Sequence, residues 1–478
     1  MKITILDKLF SGDPEAVAML QAFYSRSKKP IADRLWELAG GSNQTDEERM
    51  ARLKKSLNEY YVGYGHDSIG QVARMTLFIE NVSLPAAKAI QHNSLYDGQE
   101  SSTRYIEFGN GEPMVSPWGD TSQREWLAVY DTVRAHVRDW LVTANYDDYN
   151  RYPNKVMKSC ESRAFDVARA FLPGGVTTNL SWHVSFANYN REIPRLLSHP
   201  LHEVRDIAAE MQAQVKEFYP AIYKDFDTVK SVEALLAFAD PAHHYATYPD
   251  HIVDESGVQR HNTTRYIPLT EHDIRIPETP RAKYGRLPHE IHTAAFVRGE
   301  YWIDFASWRD VQRHRTLSPS PVKLDLIMWS SEPFTVDDLD MLFGKWYIDM
   351  LKQSGAFDKV AGKIVSLLNN QRHDTMITNW DDAAQYYLPI GLMVPFTLSG
   401  YLGDWLYVLE LRSGETVHPT VRQWADEVWR DLEHKMRRAG DGVLLEWLKP
   451  NVKPYGEMDY TKISLKRADQ DIVKKEQT

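Results

Sequence analysis

Hydrophobic and polar residues follow regular patterns along this chain of 478 residues. In the segment MTLFIE (75–80) every second residue from Met75 is apolar, and this alternation predicts a β-strand. Ser83 is a preferred N-cap residue and Pro85 follows it closely, so a helix should begin there and end near His92.

Two further segments have helical periodicity. Apolar residues at helical spacing predict a helix over 402–411, which carries Arg412 at its C-terminal end. The segment HEVRDIAAEMQAQVKEF (202–218) predicts an amphipathic helix. Because strand and helix patterns occur in both halves of the sequence, we expect an α+β fold with mixed α/β character.

The sequence repeats itself at a nearly constant spacing. RAFLPGGVTT, starting at Arg169, and QYYLPIGLMV, starting at Gln385, share Leu-Pro-x-Gly at an offset of 216 residues. At an offset of 217 residues, four positions recur: Arg195, Val204, Arg205 and Ala208 match Arg412, Val421, Arg422 and Ala425. The tripeptide Gln-His-Asn (91–93) lies opposite Arg-His-Arg (313–315), at an offset of 222.

Matches that keep their order at nearly one period indicate a tandem duplication. The two repeats would span residues 1–225 and 226–450, and residues 451–478 would form a peripheral tail.

The charge balance limits the classes of ligand. The chain has 66 acidic and 56 basic residues, and its net charge of −10 argues against general nucleic-acid binding. An anionic small molecule remains possible, because a few converging arginines hold a phosphate inside an acidic protein.

Cysteine usage and hydropathy are typical of a cytoplasmic protein. Cys160 is the one cysteine, which excludes an intramolecular disulfide and a multi-cysteine metal site. HEIH (289–292) lacks the HExxH spacing, so no metal site is predicted. The apolar start is broken at Asp7 and Lys8, unlike a signal peptide, and no apolar stretch is long enough to span a membrane.

Two polar clusters are candidates for chemistry. QHNSLYDGQESSTRY (91–105) contains His92, Ser101, Ser102 and Arg104, and such a density of hydroxyls with an arginine suits a phosphate, or else a solvated loop.

In the second cluster, DVQRHRTLSP (310–319), Arg313 and Arg315 flank His314. They would face a pyrophosphate or a flavin ring edge, or form an exposed basic turn. Arg169, Arg195 and Arg412 are further cationic candidates, with pairing to an acidic residue as the structural alternative.

The run GHDSIGQVARMTLFIENVSLPAAKAIQHNSLYDGQESSTRY (65–105) resembles the signature region of the flavin-dependent thymidylate synthases, the ThyX family. The segments ARAFLPGGVTTNLSW and AQYYLPIGLMV, each followed by an Arg-containing helix, resemble the second landmark of that family. The resemblance covers most of both repeats.

The resemblance implies a mixed α/β domain that assembles as a tetramer with shared active sites. It implies that FAD takes a one-carbon unit from methylenetetrahydrofolate and delivers it, with hydride, to C5 of dUMP, while NADPH reduces the flavin. It requires no cysteine nucleophile, and flavin carries the redox chemistry.

The resemblance also assigns roles by position. Arg169, Arg104 and either Ser101 or Ser102 would bind the nucleotide phosphate, and Arg195 and Arg412 would contact the uracil ring. Seven residues fall on flavin-side positions: Ser68, Gln71, His92, His199, Arg313, His314 and Arg315.

The departures from the family pattern are complementary. The first repeat has Gln-His-Asn in place of Arg-His-Arg, whereas the second has Gln385 in place of the phosphate-binding arginine and lacks the nucleotide-binding Ser and Arg-Tyr. These differences predict specialisation after duplication, with a homodimer of two-repeat chains replacing the family tetramer. Another C5 modification, such as hydroxymethylation, and a non-catalytic nucleotide-binding module are the alternative functions.

Overall fold

The computed structural model describes residues 67–221 apart from 105, 110 and 112, then 223, 253–254, 257–258, 262–269, 275–326, 333–378, 382–456 and 459–463, with isolated residues before 67. Both halves contain helices and strands, so the predicted α+β fold is confirmed. The predicted junction between the repeats, at residues 225 and 226, lies outside the described residues.

The described elements of the first half of the chain come in this order: α1 Asp67–Val72, β1 Arg74–Ser83, α2 Leu84–Gln91, α3 Thr121–Ala144, α4 Tyr146–Arg151, α5 Pro153–Ala168, a 3-10 turn Arg169–Phe171, β2 Thr177–Ser185, α6 Phe186–Leu197 and α7 His202–Phe218.

Those of the second half are β3 Val253–Asp254, β4 Gly257–Val258, β5 Thr263–Pro268, α8 His289–His292, β6 Ala295–Asp304, α9 Phe305–Val311, β7 Ser318–Pro319, α10 Leu339–Phe343, α11 Lys345–Ser354, α12 Phe357–Thr378, β8 Met393–Tyr401, α13 Leu402–Arg412, α14 Pro419–Ala439 and α15 Gly442–Leu448. Two 3-10 turns, Val336–Asp338 and Asp382–Tyr386, complete the list. None of the helices in the described part of the chain has the length and apolar character needed to cross a membrane.

The chain forms two compact units. The first unit comprises Met1–Val82, Ala89–Glu100 and Asn179–His244, and the second comprises Ser83–Lys88, Ser101–Thr178 and Tyr245–Thr478. The second unit therefore combines part of the first half of the sequence with almost all of the second half.

Each half has two strands that run directly into a helix. In the first half β1 continues into α2 and β2 into α6, and in the second half β6 continues into α9 and β8 into α13. β1 pairs with β2, and β6 pairs antiparallel with β8. This correspondence supports the tandem duplication, which stays a prediction.

Polar side chains at these junctions begin the helices. Ser83 Oγ accepts a hydrogen bond from Ala86 N–H over 3.1 Å, and Asp304 Oδ1 accepts one from Ser307 N–H over 2.8 Å. Each side chain satisfies a backbone donor that the first helical turn leaves open. The predicted helix start at Ser83 is thereby confirmed.

The core of the second unit lies between its sheet and the helices α13 and α14. β6 and β8 are the central strands of a sheet with the order β5-β6-β8-β7. The rings of Trp405 and Trp424 contact Tyr301 edge to face at 5.9 and 5.8 Å, and all three side chains are buried. This packing holds α13, the helix that ends at Arg412, against the sheet.

The two Leu-Pro-x-Gly turns of the sequence repeat, residues 172–175 and 388–391, pair with each other. Gly174 N–H donates to Leu388 O over 2.9 Å, and the reciprocal bond runs from Ile390 N–H to Leu172 O over 2.9 Å. Gly175 N–H donates to Tyr386 O and Gly391 N–H donates to Ala170 O, each over 2.7 Å. Exchanging the repeats maps each bond onto its reciprocal, which is the pattern of an isologous interface. We call this arrangement the turn pair.

Replacing Gly391 with alanine should destabilise the turn pair. A Cβ at Gly391 would lie 2.5 Å from Ala170 Cβ and 2.6 Å from Ala170 O, so backbone must move. We expect the free energy of unfolding to fall by about 1–3 kcal/mol, measured by urea denaturation. Gly362 in α12 is the control, because nothing lies within 4 Å of its added Cβ. Gly362→Ala should raise stability by about 0.5–1 kcal/mol, and equal losses at both positions would contradict the steric argument.

Candidate functional site

Four arginines from both halves of the sequence act on one carboxylate in the second unit. Asp310 lies near the end of α9, Arg169 lies directly after α5, and Arg412 is the last residue of α13. Burial alone would raise the pKa of Asp310, but the guanidiniums of the four arginines hold it well below its usual range. They are Arg169, Arg412, Arg104 and Arg313. We call Asp310 and these arginines the Asp310 cluster.

Arg169 is the most deeply buried member of this cluster, with 2% of its surface exposed. Its Nη2 donates to Ser307 Oγ over a long 3.4 Å and lies 4.0 Å from Asp310 Oδ2. Its Nε has no hydrogen-bond partner among the described residues. Tyr347 also hydrogen-bonds with this guanidinium, so among its several N–H donors Nε is the one that stays unused.

Arg104 is held by Asp166 at the end of α5. Its Nε and Nη2 donate to the two carboxylate oxygens of Asp166 over 2.6 and 3.0 Å. Ser102 Oγ accepts from Arg104 N–H over 3.3 Å, and Ser101 is half-buried beside it. A small cleft of about 20 Å³, lined by Arg104 and Asp166 among others, opens beside this pair. The guanidinium of Arg104 is therefore paired with a carboxylate, which neither the phosphate-site nor the solvated-loop interpretation of this segment predicted.

Arg412 connects α13 to α9. Its Nε donates to His314 Nε2 over 2.6 Å and its Nη2 donates to Asp310 O over 2.6 Å. Burial, and then the neighbouring Arg412, lower the pKa of His314 to about 3. The imidazole is therefore neutral and accepts a hydrogen bond from the arginine.

The first unit contains a matching histidine and arginine. Arg195, near the end of α6, donates to Ala89 O over 3.0 Å and to Glu192 Oε2 over 2.8 Å. Burial, and then Arg195, lower the pKa of His92 to about 3. His92 Nδ1 is buried and has no hydrogen-bond partner among the described residues. Arg195 thus anchors α2, the helix that precedes His92, and Arg412 anchors α9, the helix that precedes His314.

The residues predicted to face a flavin lie in both units. Ser68 and Gln71 are exposed on α1, and His199 is buried, with Nδ1 accepting from Leu201 N–H over 3.1 Å. Arg313 is exposed and forms no ion pair with any residue that the structure describes, whereas Arg315 Nη1 donates to Arg313 O over 3.3 Å. These side chains remain candidates by position.

Comparison with known proteins bears on these positions. Residues 6–221 match the family model described as thymidylate synthase complementing protein. Residues 6–221 are therefore similar to that family. The chain is also 21% identical to the UPF0159 protein of Chlamydia pneumoniae, over 81% of this chain and 79% of that protein. It is 21% identical to the UPF0159 protein Ta1429 of Thermoplasma acidophilum, over 87% of this chain and 92% of that protein.

The match to the thymidylate synthase complementing family supports a thymidylate synthase-like function at the family level. Arg104, Arg169 and Arg195 all lie within the matched residues 6–221. The relatives align over more of the chain than the family domain alone, so the second half is part of what they share with it.

A buried polar network beside the family domain was missed by the sequence patterns. Asp304 is fully buried and accepts a hydrogen bond from Tyr347 O–H over 2.9 Å. Ser307 Oγ lies 2.5 Å from Thr420 Oγ1, which lies 2.8 Å from His418 Nδ1.

The other ring nitrogen, His418 Nε2, lies 3.1 Å from Asp166 O. A carbonyl oxygen only accepts, so Nε2 carries the proton and Nδ1 accepts from Thr420. This network positions Ser307, which contacts Arg169. The sequence signal that could have found it is Asp304, an N-cap residue directly before a helix.

Acidification should destabilise the fold through His314. The pKa of His314 is about 3 in the folded protein, below the usual 6.5, so the unfolded chain binds the proton more tightly. Its contribution to stability is complete above pH 6.5 and is lost as the pH falls towards 3, at up to about 1.4 kcal/mol per pH unit. Urea midpoints from pH 7.5 to 5.0 test this.

The variant His314→Asn should lose less stability than the wild type over that pH range. His202, an exposed histidine paired with Asp206, provides the control. His202→Asn should follow the wild type, and a His314→Asn variant with the wild-type pH dependence would refute the assignment.

Proposed function

We propose that the protein binds a pyrimidine nucleotide at the Asp310 cluster and, with FAD, transfers a one-carbon unit from methylenetetrahydrofolate to C5 of dUMP. The observation that carries this proposal is Arg169, a buried guanidinium whose Nε has no hydrogen-bond partner among the described residues. Arg169 and Arg104 come from the family domain, whereas Arg313 and Arg412 come from the second half of the chain.

The chemistry of the cluster suits an anionic pyrimidine. Arg169 would take the phosphate, because guanidinium and phosphate form charge-assisted, bidentate hydrogen bonds. Arg412 is oriented by His314 and by Asp310 O. Directed at a ring carbonyl, it would stabilise negative charge on the pyrimidine and make C5 more nucleophilic.

The residues on the flavin-side positions fit FAD. Arg313 is exposed, and among the described residues no carboxylate pairs with it, so it would hold the flavin pyrophosphate. FAD supplies the redox step when bound, and NADPH supplies the reducing equivalents.

One working nucleotide site per chain is part of this proposal. Gln385 occupies the position that matches Arg169, and its amide is already engaged: Oε1 accepts from Leu324 N–H over 3.1 Å and Nε2 donates to Asp382 O over 3.2 Å. A neutral, engaged amide is a poor phosphate ligand. Two chains associating as a homodimer would then carry two such sites.

The visible spectrum of the purified protein tests the proposal. We expect one FAD per chain and a flavin spectrum that changes when dUMP is added, because both ligands would share one pocket. Mass spectrometry of the nucleotide after incubation with methylenetetrahydrofolate and NADPH should show dTMP, whereas a hydroxymethyl product would identify the sister chemistry. A colourless protein that binds dUMP but takes up no FAD would instead be a nucleotide-binding module.

A further inference from the structure

The carboxylate of Asp310 lies where the arginines of the cluster would meet a ligand anion. Arg169 Nη2 is 4.0 Å from Asp310 Oδ2, which is beyond hydrogen-bond distance. The side chain of Asp310 keeps 17% of its surface exposed. Arg412 holds the backbone oxygen of Asp310 and not its carboxylate. The carboxylate is thus attracted by charge but free of direct hydrogen bonds to Arg169, and it can rotate while α9 stays anchored.

The local charges leave room for a second anion. Arg104 is already paired with Asp166, and the buried carboxylate of Asp304 also interacts electrostatically with Arg169. Even so, four guanidiniums exceed these three carboxylates. A phosphate monoester carries about −1.5 to −2 charge at neutral pH, so it would compensate the arginines better than the single charge of Asp310.

The sequence repeat supports a charge-linked role. At the offset of 222, Asp310 corresponds to Lys88, and at the offset of 216, Arg169 corresponds to Gln385. The anion Asp310 thus lies in the half that has Gln385, and the cation Lys88 lies in the half that has Arg169. Asp310 therefore meets the arginine of the other half, whereas the position that corresponds to that arginine in its own half is neutral.

We propose that Asp310 is a built-in counter-anion, which occupies the phosphate position of the arginine cluster until a phosphate-bearing ligand displaces it. The inference rests on the nucleotide site proposed above. It goes beyond that site by naming a residue that weakens anion binding and makes it selective. A monoanion that displaces Asp310 brings no additional negative charge to the arginines, whereas a phosphate dianion does.

Inorganic phosphate tests this inference without nucleotide or flavin. The variant Asp310→Asn removes the charge, and Asp340→Asn is the matched control, because Asp340 is half-exposed and pairs with Lys352 elsewhere in the same unit. In phosphate-free buffer we expect Asp310→Asn to melt several degrees below the wild type. Phosphate should restore its Tm, whereas chloride at equal ionic strength should not. Calorimetric titration should show phosphate binding about tenfold tighter than in the wild type.

Three results would overturn the inference: an Asp310→Asn variant that melts like the wild type in phosphate-free buffer, a loss of Tm that phosphate does not rescue, or unchanged phosphate affinity. Should that variant fail to fold, Asp310→Glu decides, because it keeps the charge and should bind phosphate no more tightly than the wild type. Tighter binding by Asp310→Glu would contradict the role of charge. Flavin uptake is measured separately, so phosphate rescue in a protein that binds no FAD would retain this inference and reject the proposed reaction.

Discussion

Replacing Arg169 with lysine is expected to weaken dUMP binding by about 30- to 100-fold, the cost of losing hydrogen bonds to a charged group. Lysine keeps the positive charge beside Asp304 and Asp310, so the buried carboxylates stay compensated. It lacks the planar fork that contacts two phosphate oxygens at once. Isothermal titration with dUMP measures the change, and circular dichroism checks that the variant is folded.

Gln385→Ala is the matched control for Arg169→Lys, because Gln385 occupies the corresponding position of the other repeat. Its side chain is buried and bonded to Leu324 and Asp382, so its loss should reduce stability and leave dUMP affinity within about twofold of the wild type. A drop in affinity as large as that of Arg169→Lys would mean that the working site includes the second half's copy of the motif.

Replacing Arg281 with methionine should cause the largest loss of stability, about 3–5 kcal/mol, because it leaves a buried carboxylate without its cation. Glu410 on α13 is fully buried and accepts from both terminal nitrogens of Arg281. Asn451 N–H also donates to it, over 2.9 Å. Urea denaturation followed by fluorescence measures the free energy of unfolding.

The double variant Arg281→Met, Glu410→Leu should recover much of this loss, since a buried ion pair is replaceable by apolar side chains of similar volume. Arg437→Met is the surface control: Arg437 is half-exposed and pairs with Glu433 one helical turn away, so its unfolding midpoint should match the wild type. If Arg281→Met unfolds at the wild-type midpoint, Glu410 does not depend on its partner.

Local patterns predicted local structure well. The alternation at 75–80, Ser83 as an N-cap, and the helical spacing at 202–218 and 402–411 are all confirmed. These elements follow from periodicity and capping, which act within a few residues. The long helix Thr121–Ala144 and the pairing of β6 with β8 were not predicted, since they depend on contacts between distant segments.

The sequence identified the arginines of the candidate site but not its carboxylates. Arg104, Arg169, Arg313 and Arg412 were recognised from motifs, and all four act on Asp310. The role of Asp310 was not predicted, because Arg104, Arg169 and Arg412 lie 100 to more than 200 residues away from it in the sequence. The assignment of individual residues to nucleotide or flavin stays a prediction.

The turn pair has a consequence for how two copies of one domain can diverge. Because the interface is isologous, each Leu-Pro-x-Gly turn is also complementary to a second copy of itself. Two separate single-repeat chains would therefore form homodimers as readily as heterodimers. Joining the copies in one polypeptide gives a high effective concentration of the unlike neighbour, and every molecule then contains one of each. Under the predicted duplication, the half with Gln385 is always partnered by the half with Arg169, and selection can therefore tolerate the loss of one arginine.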